Sequence, residues 1–382
     1  MSENQIITFN RPYMTGQEQR YLAEALSKEH TASGTTFIAR CEQWLENSTG
    51  TRRALLTHSC TNALEMAAVL LDLQPGDEVI MPSFTFTSTA NAFALRGAVP
   101  VFVDIRSDTL NLDETLIEQA ITPKTRAIAP VHYAGVACEM DTIMDIAKLH
   151  NLIVVEDAAQ CLDSTYKDRP VGTIGDLGTF SFHSSKNIQC GEGGALLINN
   201  ENFAERAEIL HDKGTTRAQF RAGKIRQYSW VDLGMSAPPS ELQAAFLLAQ
   251  LEASTDITQH RIAHWQSYYK ALENTERIGA LKRPVQLPDC KHNGHIFATV
   301  HPSTEQRDQL ATHLNANGIA TAMHYEPLHL SKAGKKFGRP AGDLPNSQDL
   351  PFRLLRYPLW YGLPEKTPLN VAQLIEDFVT SH

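Results

Sequence analysis

The sequence predicts an α/β protein in which a large domain, built on a mostly parallel mixed sheet between helices, precedes a small C-terminal α/β domain. Two observations carry this. Short apolar runs alternate with helical segments from Arg52 to Ile198, which implies crossover connections and hence parallel strands covered on both faces. Beyond Asn200 the texture shifts to longer helices and then alternates again on a smaller scale. We place the N-terminal helices and large domain at 1–240, and a linking helix with the small domain at 241–382.

Two helices open the chain. Gly16 to His30 sets Tyr21, Leu22, Ala25 and Leu26 on one face, and Thr36 to Asn47 repeats this with Phe37, Cys41, Trp44 and Leu45. Strands are expected at Ala54–Leu56, Glu78–Met81, Val101–Asp104, Ala127–Val131 and Leu152–Glu156. Between them Thr61–Leu71, Thr87–Leu95, Asp113–Ile121 and Glu139–His150 read as helices. Gly178–Phe182 and Gly194–Ile198 extend the sheet. Next come a helix at Glu201–Lys213, a basic polar stretch at Gly214–Tyr228, and one long helix from Ser240 to about Leu272 with a Leu242/Ala245/Phe246/Ala249 stripe. The C-terminal part predicts a strand at His295–Val300, a helix at Thr304–Asn317 and a strand at Ile319–His324. A Gly/Pro-rich loop at Glu326–Leu350 and a final helix near Leu369–Thr380 complete it.

A chain of 382 residues, 42% hydrophobic and 20% charged, exceeds one ordinary core. Its net charge of -9, with Lys and Arg scattered, argues against a nucleic-acid surface, which needs clustered cations to displace counterions. Met1–Phe9 lacks the apolar core of a signal peptide and no run approaches a membrane span, so a cytoplasmic protein with no membrane partner is expected. The 6 cysteines show no C-x-x-C spacing and read as reduced thiols rather than a disulfide framework or metal site.

The chemistry centres on two stretches. Val154-Val155-Glu156-Asp157-Ala158-Ala159-Gln160 is an apolar strand ending in an acid; Ser181-Phe182-His183-Ser184-Ser185-Lys186-Asn187 is a second strand running into a lysine. This pairing is what a pyridoxal-phosphate (PLP) site requires. An anion such as Asp157 in a poorly solvated cleft keeps the cofactor's ring nitrogen protonated, while Lys186 must spend part of the cycle as a neutral amine that bonds the cofactor and carries a proton.

Other stretches fit around that pair. Thr57-His58-Ser59-Cys60-Thr61-Asn62 lies between a strand and a helix, so hydroxyls and N–H groups at a helix N-terminus offer a phosphate cradle, or an ordinary N-cap. Pro82-Ser83-Phe84-Thr85-Phe86-Thr87 places an aromatic where it can stack on the pyridine ring or enter the core. Cys190-Gly191-Glu192-Gly193-Gly194 allows close backbone approach. Gly172-x-x-Gly175-x-x-Gly178 has the wrong spacing for a dinucleotide turn, and there is neither a P-loop nor a G-x-S-x-G elbow. His58, His132, His183 and His324 lack metal-ligand spacing.

As a set, Glu156-Asp157-Ala158-Ala159-Gln160, Phe180-Ser181-Phe182-His183-x-x-Lys186-Asn187, Gly191-Glu192-Gly193-Gly194 and Pro82-Ser83-Phe84-Thr85-Phe86 resemble the nucleotide-sugar aminotransferases of the DegT/DnrJ/EryC1 family. The resemblance covers nearly the whole chain. It implies PLP fold type I, the aspartate-aminotransferase-like architecture, and a homodimer with shared active sites. It makes Lys186 the Schiff-base lysine, Asp157 the partner of the ring nitrogen and Phe86 the stacking residue. Gln160 and His183 would lie against the ring, and Ser59, Cys60, Thr61 and Ser181 would hold the phosphate.

One stretch departs from the family pattern. Where members often show Gly-x-Asn-x-Arg, this chain reads Gly234-Met235-Ser236-Ala237-Pro238. Ser236 keeps a hydroxyl for the neighbouring subunit's phosphate, but Pro238 cannot meet a donor carboxylate. Arg217 and Arg221 are the alternatives there.

Leu56-Thr57-x-Ser59-Cys60-Thr61, the run Val131 to Asp141, and His324-Tyr325-x-Pro327-Leu328-His329 are similar to family members that aminate a dTDP-linked 4-keto sugar. The resemblance thus implies L-glutamate as donor, dTDP-4-dehydro-6-deoxy-D-glucose as acceptor and dTDP-4-amino-4,6-dideoxy-D-galactose as product, with His324 and Tyr325 presenting the sugar. The place of such a reaction is surface-polysaccharide biosynthesis, including lipopolysaccharide. Open beside it are the 4-epimeric gluco product, a sugar 3-aminotransferase, a sugar dehydratase and a non-catalytic sensor. The dehydratase reading is disfavoured because those relatives carry His in place of Lys186.

Overall fold

The computed structural model describes residues 6–27 and 36–381. Its main sheet has eight strands: Arg53–Thr57 (β1), Glu78–Pro82 (β2), Val99–Val103 (β3), Thr125–Ile128 (β4), Ile153–Asp157 (β5), Leu177–Ser181 (β6), Gly194–Ile198 (β7) and Arg339–Pro340 (β8). Their order is β1-β7-β6-β5-β4-β2-β3-β8. Strand β7 runs antiparallel to both β1 and β6, and every other neighbouring pair is parallel. The chain is therefore the α/β protein with a mostly parallel mixed sheet that the sequence predicts.

Both faces of this sheet are dry, and alternation shows why. Ala54, Leu56, Ile80 and Val154 enter one hydrophobic cluster with Phe37, Leu45 and Ile143, whereas Leu55, Val79, Met81 and Val155 enter another with Leu64, Met66 and Leu210. Successive side chains of a strand point to opposite faces, so helices on each side bury alternate residues of the same apolar run. A third cluster stands apart. Trp265, Tyr268, Phe297, Leu310, Leu314, Leu355, Tyr357 and Ile375 gather where the helices Ser254–Ala271, Thr304–Ala316 and Thr367–Ser381 meet the strand pair Ala298–Val300 and Leu354–Arg356.

Three expectations need correction. The long helix from Ser240 divides at Ala253 into Glu241–Glu252 and Ser254–Ala271, because Ala253 has φ -100 and ψ 4. Ile319–His324 forms no strand; its backbone makes single bridges, Ile319 with Ile7 and Ala322 with Arg356. The Glu326–Leu350 loop holds the helices Lys332–Phe337 and Pro345–Asp349, and between them β8 joins the main sheet beside β3. The first helix is described as Glu18–Ser27; the expected extension to His30 lies outside the described residues.

In open α/β sheets the carboxyl ends of the strands mark the ligand-binding edge. Here β1 leads to Ser59, β2 to Phe86, β5 ends on Asp157 and β6 on Ser181, five residues before Lys186.

Candidate active site

Strand β5 ends in two acids with different fates. Glu156, fully buried, accepts from the backbone N–H groups of Gly172 (2.8 Å), Ile174 (2.7 Å) and Gly175 (2.6 Å), and lies 3.0 Å from His132 Nε2. His132 Nδ1 accepts from Cys138 N at 3.0 Å, so the imidazole proton sits on Nε2 and points at Glu156. This acid is a structural clasp, and the glycine turn unsuited to a dinucleotide closes around it. Asp157 faces the other way and is 5% exposed. Its Oδ2 accepts from Thr89 Oγ1 at 2.6 Å and its Oδ1 from Ala159 N at 3.2 Å. Thr85 Oγ1, 2.9 Å from Thr89 Oγ1, supplies that hydroxyl with a proton in turn.

Lys186 stands on a turn tethered from far along the chain. Its N–H donates to His183 O at 2.8 Å, and the neighbouring Asn187 donates to Asn293 O (2.9 Å) and accepts from His295 Nδ1 (2.9 Å). Burial pulls the Lys186 ammonium below its ordinary range, opposed by Cys60 and Asp157. A lysine so placed gives up its proton more readily than a solvated one, which favours nucleophilic chemistry.

A cavity of about 170 Å³ opens over Lys186, lined by Gln160, Arg261, His295, His324, Tyr325 and Arg356 among others. The His324 and Tyr325 rings stack at 4.0 Å with 8° between planes. Arg356 Nη1 donates to His324 Nε2. Because a guanidinium only donates, His324 Nε2 must accept, which leaves the ring proton on Nδ1, 3.2 Å from Tyr133 Oη. Burial, then Arg356, push His324 down to about 2, so it stays neutral. Gln160 Nε2 donates to Tyr325 Oη at 3.3 Å while its Oε1 accepts from Ala134 N at 2.7 Å. Burial raises the Tyr325 hydroxyl to about 12.

The helix Cys60–Leu70 aims its N-terminus at the same strand ends. Ser59 caps it, accepting from Asn62 N at 3.1 Å, and Thr61 Oγ1 meets Ser88 Oγ at 2.7 Å. The Cys60 thiol, raised to about 12 by burial and by Asp157, is a neutral group here. Gly194 makes the approach possible: a Cβ there would lie 2.3 Å from Cys60 N. Phe86 is 57% exposed, with its ring centroid 6.1 Å from that of Tyr325.

Thus Lys186, Gln160, His324 and Tyr325 share one cavity, with Asp157 in electrostatic reach of Lys186. Ser181 is half-buried and accepts weakly from His183 N at 3.4 Å. His183 does not turn toward the cavity; it is exposed, drawn to Ser185 Oγ (2.8 Å) and Glu192 (3.6 Å). Ser236 is exposed and bridges Asp212 through its backbone. Arg217 sits 3.9 Å from Asp212, and Arg221 lines a separate pocket with Glu42 and Arg53. Sequence reasoning missed Thr89, Tyr133, Arg261, His295 and Arg356. Only a polar residue inside an apolar run, Arg356 in Leu354–Arg356, could have signalled one of them.

A model of the DegT/DnrJ/EryC1/StrS aminotransferase family matches residues 12–376. The chain is 33% identical over 338 residues to GDP-perosamine synthase of Caulobacter vibrioides, covering 86% of this chain and 87% of that one. To dTDP-3-amino-3,4,6-trideoxy-alpha-D-glucose transaminase of Streptomyces venezuelae it is 34% identical over 361 residues, 94% of this chain and 88% of that one. The solved PLP form of Spr1654 from Streptococcus pneumoniae superposes with a TM-score of 0.87 at 29% identity, covering 98% of each chain.

Proposed function

The chain belongs to the DegT/DnrJ/EryC1/StrS aminotransferase family, whose fold is PLP type I and whose cofactor is pyridoxal phosphate, and from that premise we propose a 4-aminotransferase acting on a dTDP-linked sugar. In this reading L-glutamate and dTDP-4-dehydro-6-deoxy-D-glucose give 2-oxoglutarate and dTDP-4-amino-4,6-dideoxy-D-galactose. One observation supports its aminotransferase chemistry. A half-buried lysine whose ammonium is disfavoured by burial lies within electrostatic reach of a buried, hydrogen-bonded carboxylate, at the carboxyl edge of the sheet.

The residues present fit the cofactor. Asp157 is an anion fixed by two donors, with no cation paired to it among the described residues, and so suits a protonated ring nitrogen. The cradle at Ser59–Thr61 exists because Gly194 lacks a Cβ, and a helix N-terminus there suits a phosphate. Phe86 has an exposed ring to stack. When bound, pyridoxal phosphate supplies the electron-withdrawing ring that lets an amino group leave one carbon and enter another.

The chain's own groups do the rest. Lys186 Nζ would hold the cofactor covalently and, as a neutral amine, would be the group placed to carry the proton. Neutral His324 and the Tyr325 hydroxyl present the sugar ring, and the nucleotide supplies remote binding energy that orients the ketone. We also propose a homodimer in which Ser236, exposed on one subunit, reaches the partner's phosphate site.

Incubation with L-glutamate and the 4-keto sugar, followed by proton NMR of the product, tests this reading. Coupling constants of an axial C4 amine support it. An equatorial amine assigns the gluco epimer, and amination at C3 makes the enzyme a 3-aminotransferase.

A further inference from the structure

The cavity over Lys186 is rich in cations and lined by no acid among the described residues. Arg261 is 4% exposed and donates to the carbonyls of Gly294 (3.1 Å) and His295 (2.8 Å), not to a carboxylate. Arg356 donates through Nη1 to His324 and lies with its guanidinium carbon 4.6 Å from the Phe9 ring centroid. Its Nε is buried without a partner, and neither Nε nor Nη2 meets an acceptor among the described residues. One edge of this guanidinium is unused.

Charges without partners in a poorly solvated place are costly unless an anion joins them. A guanidinium edge offers two parallel N–H groups, matched to the two oxygens of a carboxylate. On the reading above, two substrate anions compete for this edge. The diphosphate hangs on C1 of the sugar, across the ring from the carbon that is aminated. The donor's α-carboxylate is bonded to the carbon whose proton Lys186 moves, so it must lie close to Lys186.

We propose that the Nε and Nη2 edge of Arg356 binds the α-carboxylate of the amino-acid donor, with Arg261 adding positive potential to the same cavity. The inference rests on the aminotransferase reading. It gives the donor a partner in a chain whose Gly234–Pro238 stretch lacks an arginine. His324 then has a second role, holding Nη1 so that the opposite edge keeps its orientation.

The test compares the holoenzyme of the parent with Arg356→Ala and Arg356→Lys. Steady-state kinetics give KM for L-glutamate and for the dTDP sugar, and calorimetry gives the affinity for glutarate, an unreactive dicarboxylate. Loss of a bidentate charged contact should raise the glutamate KM roughly 100-fold in Arg356→Ala while the sugar KM moves less than about threefold. Glutarate affinity should fall about tenfold or more, and Arg356→Lys should recover only part of either loss, since an ammonium has no planar fork. A glutamate KM within threefold of the parent, a sugar KM raised as much as the donor's, or unchanged glutarate binding in a variant of parental melting temperature each overturns the proposal. If the parent aminates no dTDP sugar, the substrate reading fails, and glutarate binding still decides the role of Arg356.

Discussion

The Thr89 hydroxyl donates to Asp157 Oδ2 at 2.6 Å, tying the helix Thr87–Ala94 to the last residue of β5. That bond sets the orientation of a 5%-exposed carboxylate, and leaves Ala159 N as its other protein donor among the described residues. Thr89→Val keeps the shape and removes the donor. A buried acceptor deprived of a partner costs about 1–3 kcal/mol. Turnover should fall roughly tenfold; kinetics equal to the parent would show that this contact does not position Asp157.

Asp157→Asn removes the anion itself while keeping its hydrogen-bonding shape. The electron sink weakens when the ring nitrogen loses its proton, so turnover should drop about 100-fold or more, with cofactor absorbance retained. Near-parental turnover would assign the pyridine partner elsewhere.

Gly194→Ala probes the phosphate cradle. The added Cβ meets Cys60 N at 2.3 Å and Ser59 C at 2.4 Å, both backbone atoms that cannot swing aside. Either β7 or the helix Cys60–Leu70 must shift, at a cost of roughly 1–3 kcal/mol. Equilibrium dialysis should show cofactor affinity down about tenfold or more, with a lower melting temperature. Parental affinity and stability together would contradict the close packing.

The buried histidines set the acid limb of stability. Burial lowers His211 and His301 to about 4 and His295 well below its ordinary 6.5. Each is neutral when folded and binds a proton when unfolded, so its contribution is fully present above about pH 6.5 and is lost as pH falls toward the folded value. At pH 5.5 the loss is roughly 1 kcal/mol per site. Calorimetry should give a lower melting temperature at pH 5.5 than at pH 7.5, and a flat profile would refute the assignment.

Much of this was legible in sequence where the signal is local. Strand β7 falls at Gly194–Ile198 as expected, and the ends of β5 and β6 carry Asp157 and the approach to Lys186 because apolar runs stop where polar work begins. Thr89 was hidden in a helix that reads as ordinary. Arg356, Tyr133, Arg261 and His295 come together only through tertiary contact, since Asn187 and Asn293 join the Lys186 turn to the C-terminal part. The break at Ala253 carries no Gly or Pro to announce it, and Ile319–His324 has a strand's pattern but finds only single bridges.

On the aminotransferase reading proposed above, Lys186 Nζ carries the cofactor. Borohydride reduction of the holoenzyme fixes any such bond, and digestion followed by mass spectrometry locates it. The reduced cofactor's mass should appear on the peptide containing Lys186, and should be lost from that peptide in Lys186→Ala along with turnover. Cofactor found on another lysine, or turnover close to the parent's in Lys186→Ala, would contradict it.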